Sequence, residues 1–86
     1  MQLSQVREQY NQLAIRAGVA KSGLQSLQNQ MGGLGLRSDM REAATRMDYL
    51  MQEARTALTA GNVELAKRNI DMADRTIERI EKFLGR

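Results

Sequence analysis

The chain has 86 residues, which allows one domain, and it contains no proline, cysteine or histidine. The lack of cysteine excludes disulfide bonds, and the lack of histidine removes the commonest metal ligand and the usual general base near neutral pH. The net charge of +3 is below the dense positive charge of a dedicated nucleic-acid-binding domain. We therefore expect one helical domain over residues 1–86, a whole protein or a segment of a longer one, with no catalytic site, cofactor or metal.

Apolar residues recur at alternating spacings of three and four along the first third of the chain. This is the heptad pattern of a helix that packs on another helix. It predicts a helix over about 2–31, ended by Gly32, Gly33 and Gly35, because glycine accepts the positive φ common after a helix. The apolar positions are Leu3, Val6, Tyr10, Leu13, Ala17, Ala20, Leu24, Leu27 and Met31.

A second helix is predicted over about 39–60. Ser38 or Asp39 is expected to cap it, with Glu42 three residues after Asp39 as in a capping box. Its apolar positions are Met40, Ala43, Met47, Leu50, Ala54 and Ala57, widened on one side by Ala44, Met51 and Leu58.

The apolar register changes at Gly61 and Asn62, which predicts a tight turn rather than one long helix. Continuing the second pattern would place Glu64, Arg68 and Asp71 in the apolar stripe, and burying their charges is costly. Glycine is a good helix stop and asparagine a good N-cap. A third helix is therefore predicted over about 63–84, with its own apolar positions at Val63, Ala66, Ile70, Ala73, Ile77, Ile80 and Leu84.

These elements predict an all-α fold, an antiparallel three-helix bundle with coiled-coil-like heptad packing in which the first helix is the longest. At 1.5 Å per residue the first helix spans roughly 45 Å and the others roughly 33 Å each. The N-terminal end of the first helix is then expected to extend past the Gly61 turn, leaving Leu3, Val6 and Tyr10 without a partner in the chain. A bend or fraying of that helix is the alternative.

The segment over residues 47–79 resembles one tetratricopeptide-type helical hairpin. Gly61 and Asn62 match the turn of such a unit. Its packing positions are matched by Leu50, Ala54, Ala57 and Leu58 in the first helix and by Ala66, Ile70 and Ala73 in the second. The resemblance covers about a third of the chain and implies a helical hairpin. A single unit forms no concave groove, so it implies no peptide-binding residues.

The pattern favours a non-enzymatic module for protein–protein interaction or oligomerisation. Ile15 and Val19 are one turn apart and opposite the apolar stripe, so they are expected to face away from the core. Their surroundings are uncharged, as interface centres are: Gln9, Asn11, Gln12, Ser22, Gln25, Ser26 and Asn29. The predicted protein-binding residues are Leu3, Val6, Tyr10, Ile15 and Val19, and the partner is another protein or a second copy. A wider bundle that buries both faces would remove this site.

The alternative function is that of a small basic nucleic-acid-binding domain, with Arg55, Lys67 and Arg68 near the Gly61 turn. Acidic residues alternate with the cations of the third helix, and aromatic residues for base stacking are few, so nucleic acid is the less favoured partner. No apolar run has the length of a transmembrane helix, and no membrane partner is expected. The lack of cysteine and the prevalence of arginine over lysine lead us to expect a cytoplasmic, bacterial protein.

Overall fold

The computed structural model describes residues 2–30 and 36–85, which form three α-helices and no strand. The helices are α1 (Leu3–Gln30), α2 (Ser38–Thr59) and α3 (Val63–Phe83), and all three contact one another. The predicted all-α fold of three helices, the first one longest, is confirmed. Met31 and the predicted stop at Gly32, Gly33 and Gly35 lie outside the described residues.

The turn between α2 and α3 forms where the apolar register changes. Gly61 has φ +75°, a conformation that glycine adopts without the strain a side chain would bring. The side chain of Asn62 accepts a hydrogen bond from the backbone N–H of Leu65 at 3.1 Å, as an N-cap does. One unbroken helix from α2 through α3 is therefore excluded.

The predicted cap of α2 is wrong. The N-cap position is Arg37, which makes no side-chain cap hydrogen bond, and the helix begins at Ser38. Asp39 lies in the first turn, and its carboxylate accepts a hydrogen bond from the Arg37 guanidinium at 2.9 Å. The same guanidinium lies 5.6 Å from the centre of the Phe83 ring, so Arg37 links the start of α2 to the end of α3. The Asp39 carboxylate is engaged by this cation instead of by the free N–H groups of the helix.

The core follows the predicted apolar stripes. Its largest fully enclosed side chains are Met47, Ile77, Ile80 and Val6. Asn69 and Thr76 are also buried, which the sequence pattern did not predict. The remaining buried apolar residues are Leu13, Ala20, Leu24, Leu36, Met40, Ala43, Leu50, Met51, Ala54, Ala57, Leu58, Ala66, Ile70 and Ala73.

The expectation that the N-terminal end of α1 lacks a partner is also wrong. Val6 is fully buried, and Leu3 and Tyr10 are partly buried against the core. Lys67 Nζ donates to Gln9 Oε1 at 3.2 Å and Arg16 Nη1 to Asp74 Oδ1 at 2.7 Å, and both pairs are 58 residues apart. This constant offset places the start of α1 level with the Gly61 turn, so the extra length of α1 falls at its C-terminal end.

No helix in the part of the chain that the structure describes combines the length and apolar character needed to cross a membrane.

Candidate protein interface

The most exposed apolar side chains of α1 lie on the side away from the core. Ile15 is 70% exposed and Val19 is 47% exposed, as the sequence predicted. The two residues are four positions apart and therefore stand one above the other on the helix surface. The wider bundle that would bury both faces of α1 is not observed. Ile15 and Val19 thus form a short apolar ridge in water.

A row of small residues runs beside this ridge. Ala14, Gly18, Ser22 and Ser26 follow each other at intervals of four, and they line one shallow groove together with Ile15 and Val19. Toward the C-terminal end of α1 the partly buried side chains of Leu27 and Leu84 also line the groove. We call the surface formed by Ala14, Ile15, Gly18, Val19, Ser22 and Ser26 the outer face of α1.

The outer face of α1 carries no charge because none of its six residues is ionisable, and the two cations beside it are paired with other helices. Arg16 Nη1 lies 2.7 Å from Asp74 Oδ1, and Arg16 Nη2 lies 2.8 Å from Glu81 Oε1. Lys21 Nζ lies 3.0 Å from Asp48 Oδ2 of α2. The hydrogen bond to Glu81 raises the pKa of the Arg16 guanidinium above its ordinary value. Both cations therefore form ion pairs with the other two helices.

The ion cluster of Arg16, Asp74 and Glu81 was not predicted, although the sequence carried a signal for it. Lys67, Asp74 and Glu81 recur every seven residues beside the apolar stripe of α3, and Gln9 and Arg16 are seven residues apart beside that of α1. Positions that flank a heptad stripe are those whose charges pair between helices. Reading these flanking positions together would have paired Arg16 with an acid of α3.

The five predicted protein-binding residues fall into two separate groups. Ile15 and Val19 lie on the outer face of α1, whereas Val6 lies in the core and is unable to meet a partner in the folded chain. Tyr10 lines a different groove, with Arg55 and other residues near the end of α2. Leu3 is partly buried against the core. The structure therefore does not bring the N-terminal apolar residues together with the ridge.

The three cations of the alternative nucleic-acid site differ in their surroundings. Arg55 and Arg68 are exposed. Lys67 Nζ lies 3.1 Å from Asp71 Oδ1 and also donates to Gln9. A phosphate would have to compete with the Asp71 carboxylate for that ammonium group. The nucleic-acid site stays a prediction, with one of its three cations already paired.

One further exposed side chain with an aromatic ring lies on α2. Tyr49 is 61% exposed, and a hydrogen bond to the Glu53 carboxylate raises the pKa of its phenol. Among residues 2–30 and 36–85, no group of three histidine, cysteine, aspartate or glutamate side chains is placed to hold a metal ion. The outer face of α1 is therefore the surface on which exposed apolar area, small side chains and neutral charge coincide.

Comparison of the chain with protein-family models, with curated protein sequences and with solved structures gives no match. The resemblance of residues 47–79 to a tetratricopeptide-type hairpin therefore depends on its packing residues alone. Any assignment of function has to come from the geometry of the chain itself.

Proposed function

We propose that this chain is a non-enzymatic helical module for protein–protein interaction or oligomerisation, and that it binds through the outer face of α1. The observation that carries the proposal is the exposure of Ile15 and Val19, at 70% and 47%, on a neutral surface lined by small residues. Fully burying a side chain of this kind contributes about 1.5–3 kcal/mol. A partner that covers both residues therefore gains a useful part of a binding free energy.

The scaffold under this surface is, in our proposal, an antiparallel three-helix bundle with coiled-coil-like heptad packing. The short turn at Gly61 and the constant offset of 58 residues between paired positions of α1 and α3 support this arrangement. The ion pairs of Arg16 and Lys21 fix α1 against the other helices. Such a scaffold would present Ile15 and Val19 in a fixed geometry and lower the entropy lost on binding.

Photo-crosslinking from a single position tests the proposal. A benzophenone amino acid replaces Val19 in the protein produced in its source cells, and the matched control carries it at Leu65 of α3, which is 39% exposed. We expect irradiation to give a discrete heavier product from position 19, whether a heterocomplex or a dimer, and none from position 65. Equal products from both positions, or none from position 19, would show that the outer face binds nothing.

A double substitution separates this surface from the core. Ile15→Lys with Val19→Lys should leave the helical circular dichroism signal unchanged, because both side chains are largely in water. It should abolish the product of a crosslinker placed at Ser22, which lines the same groove. Unfolding of the double variant would assign both residues to the core and remove the site.

A further inference from the structure

Neither the backbone conformation nor the packing of the chain requires a glycine at position 18. A glycine inside a helix destabilises that helix by about 1 kcal/mol relative to alanine. The backbone does not require it, since the positive-φ glycines of the described residues are Gly61 and Gly85. Packing does not require it either, since a Cβ atom built at Gly18 meets nothing within 4 Å. The missing side chain instead leaves room on the surface next to the ridge.

The ridge and the groove lie next to each other on one face. Helices pack by placing a ridge of residues spaced by four into a groove of the same spacing on the other helix. Ile15 and Val19 form such a ridge, and Gly18 and Ser22 form the floor of such a groove. One copy of the outer face therefore carries both halves of the contact, as a two-fold symmetric interface requires.

The absence of charge on the outer face also favours its contact with an identical face. The chain carries a net charge of +3, so a face rich in its cations would repel its own copy. The six residues of the outer face are uncharged, and the flanking Arg16 and Lys21 are paired with carboxylates of α3 and α2. A strongly charged partner would find no group to pair with here, whereas an identical neutral face meets no repulsion.

We propose, resting on the proposed function, that the occupant of the outer face is a second copy of this chain. The two α1 helices cross at Gly18 around a two-fold axis, and Ile15 and Val19 of each copy enter the groove over Gly18 and Ser22 of the other. A contact limited to one face of one helix buries less than about 1,200 Å² in total. Interfaces of that size belong to weak and transient complexes. The dimer is therefore expected at micromolar to millimolar concentrations.

Sedimentation equilibrium of the purified full chain, from about 10 μM to about 1 mM, tests the dimer in the concentration range where such interfaces form. We expect the average mass to rise from monomer toward dimer. Gly18→Glu should raise the dissociation constant at least about tenfold, because a bulky charge from each copy then enters the crossing point. The matched control is Gln28→Glu, which adds the same charge at another exposed position of α1.

Two readouts separate an interface effect from misfolding. The urea midpoint of Gly18→Glu, measured at a concentration where the chain is monomeric, should equal or exceed that of the natural chain, since glutamate forms helix better than glycine. Val19→Lys should weaken the dimer as Gly18→Glu does, whereas Leu65→Lys, at the comparable exposed position of α3, should leave it intact.

A monomer mass at every concentration, together with a heterocomplex crosslinked from position 19, would overturn the second copy as the partner and leave the proposed function standing. A monomer mass with no crosslink from position 19 would overturn both. A dimer that tolerates Gly18→Glu and Val19→Lys would show that the copies meet on another face. Loss of the dimer in Gly18→Glu and Val19→Lys, with the dimer retained in Gln28→Glu and Leu65→Lys, would establish the proposed interface.

Discussion

The two parts of this molecule, α1 and the hairpin of α2 and α3, are stabilised in different ways. α2 and α3 bury most of their apolar stripes against each other, with Ile77 and Ile80 fully enclosed. α1 is the longest helix, but its buried residues are only Val6, Leu13, Ala20 and Leu24. Hydrogen bonds from Arg16 and Lys21 of α1, and to Gln9, add to this narrow apolar contact. The hairpin provides most of the core, and α1 has one side on that core and one side in water.

The largest expected effect of a single substitution is in the hairpin. Ile77 is fully buried, and Ile77→Ala should lower the free energy of unfolding by about 3 kcal/mol through lost burial and the cavity left behind. Urea unfolding followed by circular dichroism measures it. Ile15→Ala is the control in α1 and should change stability by less than about 0.5 kcal/mol. Similar losses from the two variants would contradict the difference between the regions.

A smaller effect is expected at the contact of α1 with the hairpin. Ala20 is 1% exposed, and Ala20→Leu should destabilise the chain by about 1–3 kcal/mol because the added side chain has no space. Native-state hydrogen exchange should show α1 amides losing protection first while those of α2 and α3 keep theirs. Gln28→Leu, an exposed position of the same helix, is the control. Equal loss of protection in all three helices would mean that α1 and the hairpin unfold as one unit.

Substitutions at the N-terminal ends of α2 and α3 should change the free energy of unfolding by different amounts. Asn62→Ala should lower the free energy of unfolding by about 1 kcal/mol, because the N–H of Leu65 loses its side-chain acceptor. Ser38→Ala at the start of α2 should have a clearly smaller effect, because no side chain caps that helix. Thermal unfolding of both variants in parallel measures the difference. A larger loss from Ser38→Ala would restore Ser38 as the cap of α2, one of the two caps that the sequence suggested.

The smallest expected effect is at the ion cluster. Arg16→Met should cost less than about 1 kcal/mol, since the Arg16 side chain is 40% exposed and water weakens its pairs with Asp74 and Glu81. The stability of the natural chain should fall with added salt more steeply than that of the variant. Arg75→Met, at an exposed position of α3, is the control. A salt dependence unchanged by Arg16→Met would show that the cluster adds nothing to the attachment of α1.

Much of the fold could be predicted from particular residues. The change of register at Gly61 and Asn62 predicted the turn, because a continued stripe would have buried Glu64 and Arg68. The predicted apolar positions of α2 and α3 are buried except for Ala44, Val63 and Leu84, which are partly buried. The start of α2 was predicted to within one residue, whereas its cap was mispredicted because Asp39 pairs with a neighbouring cation instead of with the helix N–H groups.

The surface position of the candidate interface was predicted in part. Ile15 and Val19 were placed on the surface because they lie opposite the apolar stripe. The row of small residues through Gly18 and Ser22 was not predicted, because small residues indicate a groove only when their position beside the ridge is known. The wrong assignment of Val6 to a free end came from helix lengths alone, which do not fix how far one helix is shifted along another.

The amino-acid sequence by itself determined three helices, their approximate ends and the side of each that turns inward. Apolar periodicity and turn residues are local signals, so each helix can be predicted from its own segment of the sequence. Tertiary structure alone decided the shift of α1 along α3 and the pairing of Arg16 with Asp74 and Glu81. These features depend on groups 58 or more residues apart, whose distances exist only once the helices have packed.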